Sequence, residues 1–276
     1  GKLYSISIDE VISKPVRFYT PSEYKSDAQV WSISKGEEDD VYFATNEGIV
    51  LYDGVRWEKY VTPSKCIMRS VFYDEEDKIM YSGGVNEFGY WKYDEYGNLE
   101  YTLLYENSPS SPTQEFWKIA KVPGSQLVYF ESPLSLLVYD TKAGKITPLA
   151  DDGIRFHFLF IVGQKVYLQQ SNYLYQLDGY EKRMVTDQLE NFYLVYMTLT
   201  SGGKLRLFSS EKGSLVLDDK GNIEKRIPYE LDMRITSMGD LGNDYLVGTG
   251  NTGFYRMDEE GNILSRVGEQ QGLKNT

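Results

Sequence analysis

The sequence predicts an all-β chain built by repeating one four-stranded antiparallel unit, and three observations carry that expectation. First, an apolar residue followed by Asp recurs at Tyr52-Asp53, Tyr93-Asp94, Tyr139-Asp140, Leu177-Asp178, Leu217-Asp218 and Met257-Asp258, in Asp-to-Asp steps of 41, 46, 38, 40 and 40 residues. Second, each Asp ends a short strand-like run and opens turn chemistry: "DG", "DEYGN", "DTKAGK", "DGY", "DDKGN" and "DEEGN". Asp accepts hydrogen bonds from backbone N–H groups two residues on, and Gly supplies the positive φ a hairpin needs. Third, no segment sustains a 3.6-residue apolar period over a helical length, and turns rather than helices separate the runs.

The strands follow in order. The first unit reads "VWSIS", "DVYFAT", "GIVLYD" and, after the turn, "WEKY"; the second reads "RSVFY", "KIMYSGG", "GYWKYD" and "LEYTLLY". The third gives "FWKIA", "QLVYFES", "SLLVYD" and "KITPLA", and the fourth "HFLFIV", "KVYLQQ" and "NYLYQLD" before its last strand. "VYMTLT", "KLRLFSS", "GSLVLD" and "IEKRIP" make the fifth; "ITSMGD", "DYLVGTG", "GFYRMD" and "ILSRV" make the sixth. Four antiparallel strands in about 40 residues are the signature of a β-propeller blade. Aligned on Trp31, the first strands of later units fall near Arg69, Trp117, His157, Tyr196 and Ile235, and the next would begin near Asn275. Six repeats are therefore visible and seven blades are expected in the intact protein. One propeller domain spans residues 29–276. The runs "LYSISI" and "VRFYT" within residues 1–28 are expected to complete or cap the last blade, since an unclosed ring leaves sheet faces and edges exposed.

Composition narrows the function. The 24 Tyr, 12 Phe and 4 Trp suit sheets with many half-buried positions. A net charge of −12 without any basic run argues against nucleic acid, whose phosphates are held by clustered Lys and Arg. Cys66 is the only cysteine, which excludes an internal disulfide and a thiolate metal site. No run of about 18 apolar residues exists to span a membrane. The chain opens on Gly1 rather than Met, which is compatible with a signal peptide already removed.

Candidate chemistry is sparse. His157 is the only histidine, so a histidine metal cage or a Ser-His-Asp triad is hard to assemble; it reads as a packed or channel-lining residue. Cys66 reads as a buried, inert thiol. The "DEYGN", "DDKGN" and "DEEGN" segments superficially resemble calcium loops but are too short and already serve as hairpin turns. No cofactor is implied. Propellers also host glycosidases and lyases, which need paired carboxylates, and the repeating acids single out no pair. What remains is binding. Innermost strands line a propeller axis, and projected there are Trp31, Arg69, Trp117, His157 and Tyr196, with Arg234 beside the sixth position. Aromatic faces for sugar rings and Arg for a carboxylate suit a carbohydrate ligand. The competing reading is that these large side chains only fill the channel.

The segment "WSISKGEEDDVYFATNEGIVLYDGVRWEKY" resembles the two-component regulator propeller repeat, with a Gly-containing strand pair, "YDG" and an aromatic strand. "RSVFYDEEDKIMYSGGVNEFGYWKYDEYGNLEY" and "FWKIAKVPGSQLVYFESPLSLLVYD" look like further repeats, and "GEQQGLKNT" resembles the family's linker into the next one. The resemblance runs over residues 15–276 and is loose in the fourth and fifth repeats, where "YDG" becomes "LDGY" and "LDDKG". It implies a non-catalytic periplasmic sensor region of a Bacteroidetes-type membrane protein. In that family a triple-tyrosine domain and a transmembrane helix follow, leading to a histidine kinase or a helix-turn-helix output. It also implies oligosaccharide or other small ligands and a homodimer. None of the output machinery is in this sequence. A protein-interaction scaffold and a propeller glycan hydrolase or lyase stand as alternatives.

Overall fold

A computed structural model describes residues 30–149, 151–230, 232, 234–249 and 253–266. Its 24 strands form six four-stranded antiparallel sheets, and no helix occurs among the described residues. Blade one holds β1 (Val30–Lys35), β2 (Val41–Thr45), β3 (Gly48–Tyr52) and β4 (Trp57–Tyr60). Blade two holds β5 (Met68–Asp74), β6 (Ile79–Gly84), β7 (Glu87–Tyr93) and β8 (Leu99–Glu106). Blade three holds β9 (Lys118–Ala120), β10 (Leu127–Glu131), β11 (Leu136–Asp140) and β12 (Lys145–Pro148). Blade four holds β13 (Phe156–Val162), β14 (Lys165–Gln170), β15 (Tyr173–Asp178) and β16 (Glu181–Thr186). Blade five holds β17 (Leu194–Leu199), β18 (Leu205–Ser209), β19 (Ser214–Leu217) and β20 (Ile223–Ile227). Blade six holds β21 (Ile235–Asp240), β22 (Tyr245–Thr249), β23 (Gly253–Met257) and β24 (Ile263–Arg266). Every sheet pairs its strands in chain order, as the sequence predicts. A seventh blade is not present among the described residues, and the strands expected in residues 1–28 lie outside them.

The turn chemistry performs as its composition predicts. Asp53, Asp94, Asp140, Asp218 and Asp258 each accept two backbone N–H bonds on Oδ1 from their own turn, at 2.7–3.0 Å. These bonds hold Asp53, Asp140 and Asp218 below the usual carboxylate range. Asp178 differs: it stands opposite Glu181 in the ladder and pairs with Arg183 at 2.7 Å.

Consecutive innermost strands lie beside one another from β1 through β5, β9, β13 and β17 to β21. The core is divided by blade junction, because alternate residues of each middle strand face opposite neighbours. Tyr42 and Ile49 meet Met68, Met80 and Trp91 between blades one and two. Phe88 stacks on Phe130 at 3.8 Å between blades two and three. The remaining junctions are filled by Leu136, Leu159 and Leu168, by Phe158, Leu194 and Leu207, and by Phe208, Tyr245 and Val247. Burying one such side chain contributes about 1.5–3 kcal/mol, so these junctions dominate stability. One junction also carries a buried ion pair: Lys121 of blade three meets Asp74 of blade two at 3.0 Å, both almost wholly enclosed.

Candidate functional site

The innermost strands share a feature invisible to blade counting. In β1, β5, β13, β17 and β21 the pairing register jumps one residue near the strand start: between Val30 and Ser32, Met68 and Ser70, Phe156 and Phe158, Leu194 and Tyr196, Ile235 and Ser237. A bulge of this kind leaves one residue out of the ladder and re-aims its side chain. The extra residues are Trp31, Arg69, His157, Val195 and Thr236. Trp117 takes the same place in blade three, immediately before Lys118, which pairs with Glu131.

Three of the sequence-predicted residues come together. The Arg69 guanidinium lies 4.3 Å from the Trp31 ring centre and 4.7 Å from that of Trp117. The two indoles meet edge to face at 5.4 Å, although blade two separates their own blades. They therefore converge on the propeller axis. Arg69 is further held by Glu115, with Nη2 donating at 2.9 Å, while its Nη1 is buried without a partner. Trp31 Nε1 donates to Asn46 Oδ1 at 2.6 Å. This side of the channel mouth is a locked stack of aromatic faces around a neutralised cation.

His157 lies on the other side, on the cleft between blades three and four. Its ring meets Tyr193 edge-on at 5.0 Å. The walls around the imidazole, which strip part of its hydration, hold its pKa below the ordinary histidine value, and Lys118 adds like charge in the same direction. The cleft has a volume of about 490 Å³. Besides Trp117 and His157 it is lined by Lys118, Glu131, Arg155 and Tyr193.

Tyr196 and Arg234 are placed elsewhere. The bulge residue of blade five is Val195, so Tyr196 is one position along and turns into the sheet packing. It contacts Phe160 of blade four at 5.1 Å and Tyr245 of blade six at 6.4 Å. Arg234 precedes β21, is exposed, and lies 3.7 Å from Glu211. Neither joins the axial group, because Thr236 holds the bulge in blade six.

Glu131, Lys118, Arg155 and Tyr193 were not singled out from sequence, and Glu131 is the most informative. It is 2% exposed, and its Oε2 is buried without a hydrogen-bond partner. Burial raises its pKa to about 7, against the lowering pull of Lys118. Lys118 itself touches the solvent of the cleft, yet the protein crowded around its ammonium holds its pKa below the usual lysine range, partly offset by Glu131. The pairing register, rather than the sequence alone, marks Glu131. The residues paired with the position after each bulge are Ala44, Gly83, Glu131, Gln169, Phe208 and Gly248, and only one of these ionises.

Cys66 is buried, with its thiol pushed up to about 12 chiefly by desolvation, which leaves it a poor nucleophile. Among the described residues no group of three His, Cys, Asp or Glu is arranged to hold a metal ion.

No family model matches the sequence, and no curated protein matches it. Solved structures do. The extracellular domain of the hybrid two-component system BT3049 of B. thetaiotaomicron is 13% identical with a TM-score of 0.62, covering 88% of this chain and 34% of its own. That of BT4673 from the same organism is 16% identical with a TM-score of 0.61, covering 82% and 31%. Virginiamycin B lyase of Staphylococcus aureus is 14% identical with a TM-score of 0.64, covering 87% and 84%. At such identities the likeness establishes the propeller fold. The chain spans about a third of the length of the two-component domains.

Proposed function

We propose that this chain is a non-catalytic, extracytoplasmic ligand-sensing propeller of a bacterial two-component-type regulator, and that its ligands are small molecules such as glycan fragments. One observation carries the reading: three bulges and the start of blade three collect Trp31, Arg69, His157 and Trp117 at one mouth of the channel, beside an open cleft. Aromatic faces and fixed polar groups in a concavity suit a sugar-sized ligand. The likeness to extracellular domains of two hybrid two-component systems supports the sensor assignment. Among the described residues a single carboxyl, that of Glu131, lines the cleft, whereas glycoside hydrolysis uses two, which favours binding over turnover.

In this reading occupancy of the mouth shifts how neighbouring blades or paired copies pack. A following triple-tyrosine domain and membrane helix then pass the change to a kinase or DNA-binding output. Thermal-shift measurements against a broad panel of neutral and acidic oligosaccharides test it. A concentration-dependent rise in Tm without turnover is the expected result. Silence across the whole panel, or product formation, overturns the sensing reading.

A further inference from the structure

We propose that the cleft between blades three and four seats the carboxylate of an acidic sugar on Lys118 and Arg155, with Trp117 and Tyr193 against its ring. This rests on the ligand-sensing reading and gives it a ligand class and a location.

The location comes from comparing blade junctions at one register position. At Gly83 of blade two, an added Cβ would lie 2.7 Å from the Phe116 carbonyl of blade three, and Ser70 Oγ donates to that same oxygen at 2.7 Å. That junction closes by direct backbone approach. In blade four the matching residue is Gln169, whose Nε2 donates to Phe192 O at 2.7 Å and whose Oε1 accepts from Leu194 N at 2.9 Å. That junction closes through an amide. At the junction between them Glu131 bridges nothing, and Phe156 N donates to Pro133 O instead. A buried polar atom without a partner is destabilising. Glu131 is at the same time one of the residues that line a cavity large enough for a sugar.

The ligand class comes from charge. In a chain of net charge −12, Lys118, Arg155 and His157 gather on one cleft. Among the described residues neither Lys118 nor Arg155 has a carboxylate within ion-pairing distance, in contrast to Arg69, which Glu115 neutralises. Arginine and lysine together suit a carboxylate: the guanidinium by its planar fork, the ammonium as a point charge. Glu131 fits the same ligand. Lys118 of β9 is the charged group that acts on it, Arg155 and His157 line the same cleft, and Leu136 stands opposite on β11. In its protonated form it is an O–H donor toward an incoming anion rather than a competing charge. The half-exposed Tyr193 and the half-buried Trp117 supply flat apolar faces for a pyranose ring. The strongly negative surface disfavours long polyanions, so a short fragment with one or two carboxylates is the class that fits.

Calorimetric titration of the whole chain with glucuronate- and galacturonate-containing disaccharides, and with the same disaccharides reduced at the carboxyl, tests this. The acidic sugars are expected to bind at least tenfold more tightly than their reduced forms at pH 6.5. Lys118→Met and Arg155→Met should each weaken acidic-sugar binding tenfold or more in variants that still unfold in one cooperative step. Glu131→Gln, whose amide still donates, should bind and should keep its affinity at pH 8, where the parent weakens. If the reduced sugars bind equally well, or the two cation variants bind normally, the anion assignment falls while ligand sensing stands. If neither set binds, this proposal falls, and the broad thermal-shift panel decides the sensing reading separately.

Discussion

The junction between blades four and five and the junction between blades three and four place Gln169 and Glu131 at the same register position, opposite Phe158 and Lys118. Both side chains are almost wholly buried. Gln169 can donate and accept at once, so it satisfies a carbonyl and an N–H of the next blade and seals the seam. An ionised Glu only accepts, leaves the neighbour's backbone to find other partners, and keeps its own Oε2 unsatisfied. One amide-for-acid difference thus separates a structural seam from an open, titratable cleft. In a repeat fold, a copy that departs from a position's structural role is where an open site can form.

Breaking the sealed seam should have the largest effect. Gln169→Ala strands both Phe192 O and Leu194 N in a buried setting, at about 2 kcal/mol each, so a loss of about 4 kcal/mol is expected. Urea unfolding followed by fluorescence measures it. A loss below about 1 kcal/mol would show that the amide is not what holds blades four and five together.

The open junction should respond in the opposite direction, and with pH. In the fold Glu131 titrates near 7, against 4.5 for an unperturbed Glu. Its contribution is fully present below the unfolded value, declines as pH rises, and is lost above the folded value. The difference corresponds to about 3 kcal/mol. Glu131→Gln should therefore match the parent at pH 4 and exceed it by about 3 kcal/mol at pH 8. His157, whose folded pKa is lowered, gives stability that rises with pH, but it is common to both proteins and cancels in their difference. Equal stability at both pH values would mean that Glu131 finds water or a partner in the cleft.

This contrast also marks how far the sequence could be read. The six four-stranded repeats and their strand order were legible because Asp53, Asp94, Asp140, Asp218 and Asp258 repeat a local turn mechanism that needs no tertiary context, whereas the expected seventh blade is not present among the described residues. Trp31, Arg69 and Trp117 were legible because they fall at the same step of the repeat. Tyr196 lies one position after the bulge residue Val195 and Arg234 two positions before Thr236, and apolar periodicity carries no signature of which residue bulges. Glu131 was hidden for a different reason. "YFES" reads as one more strand end until pairing shows that its equivalents in the other blades are Ala44, Gly83, Gln169, Phe208 and Gly248.

The locked side of the channel mouth offers a third, smaller test against the open side. Arg69→Lys keeps the charge near Glu115 but loses the planar contact with both indoles. A cost of about 1–2 kcal/mol is expected, with tryptophan emission shifting to longer wavelength as Trp31 and Trp117 gain water. Unchanged emission would indicate that the two indoles hold their positions without the guanidinium.

The smallest effect sharpens the same contrast between repeat role and local departure, now within the turns. Asp218 accepts N–H bonds from Lys220 at 2.9 Å and Asn222 at 2.8 Å, and the latter bond does most to depress its pKa. A carboxyl lowered in the fold stabilises above its unfolded pKa and loses that contribution as pH falls through the folded value. Asp218→Ala should therefore lower Tm slightly at pH 7 and converge with the parent at pH 2. Asp178, which pairs with Arg183 at an exposed site, should behave otherwise. Asp178→Ala should shift Tm less, and the shift should vanish in 0.5 M salt, because screening removes an exposed ion pair but leaves a backbone-bonded turn. If both variants were equally salt-sensitive, the turn aspartates would act through surface charge, and the backbone bonds to Asp218 would not be what shapes the hairpin.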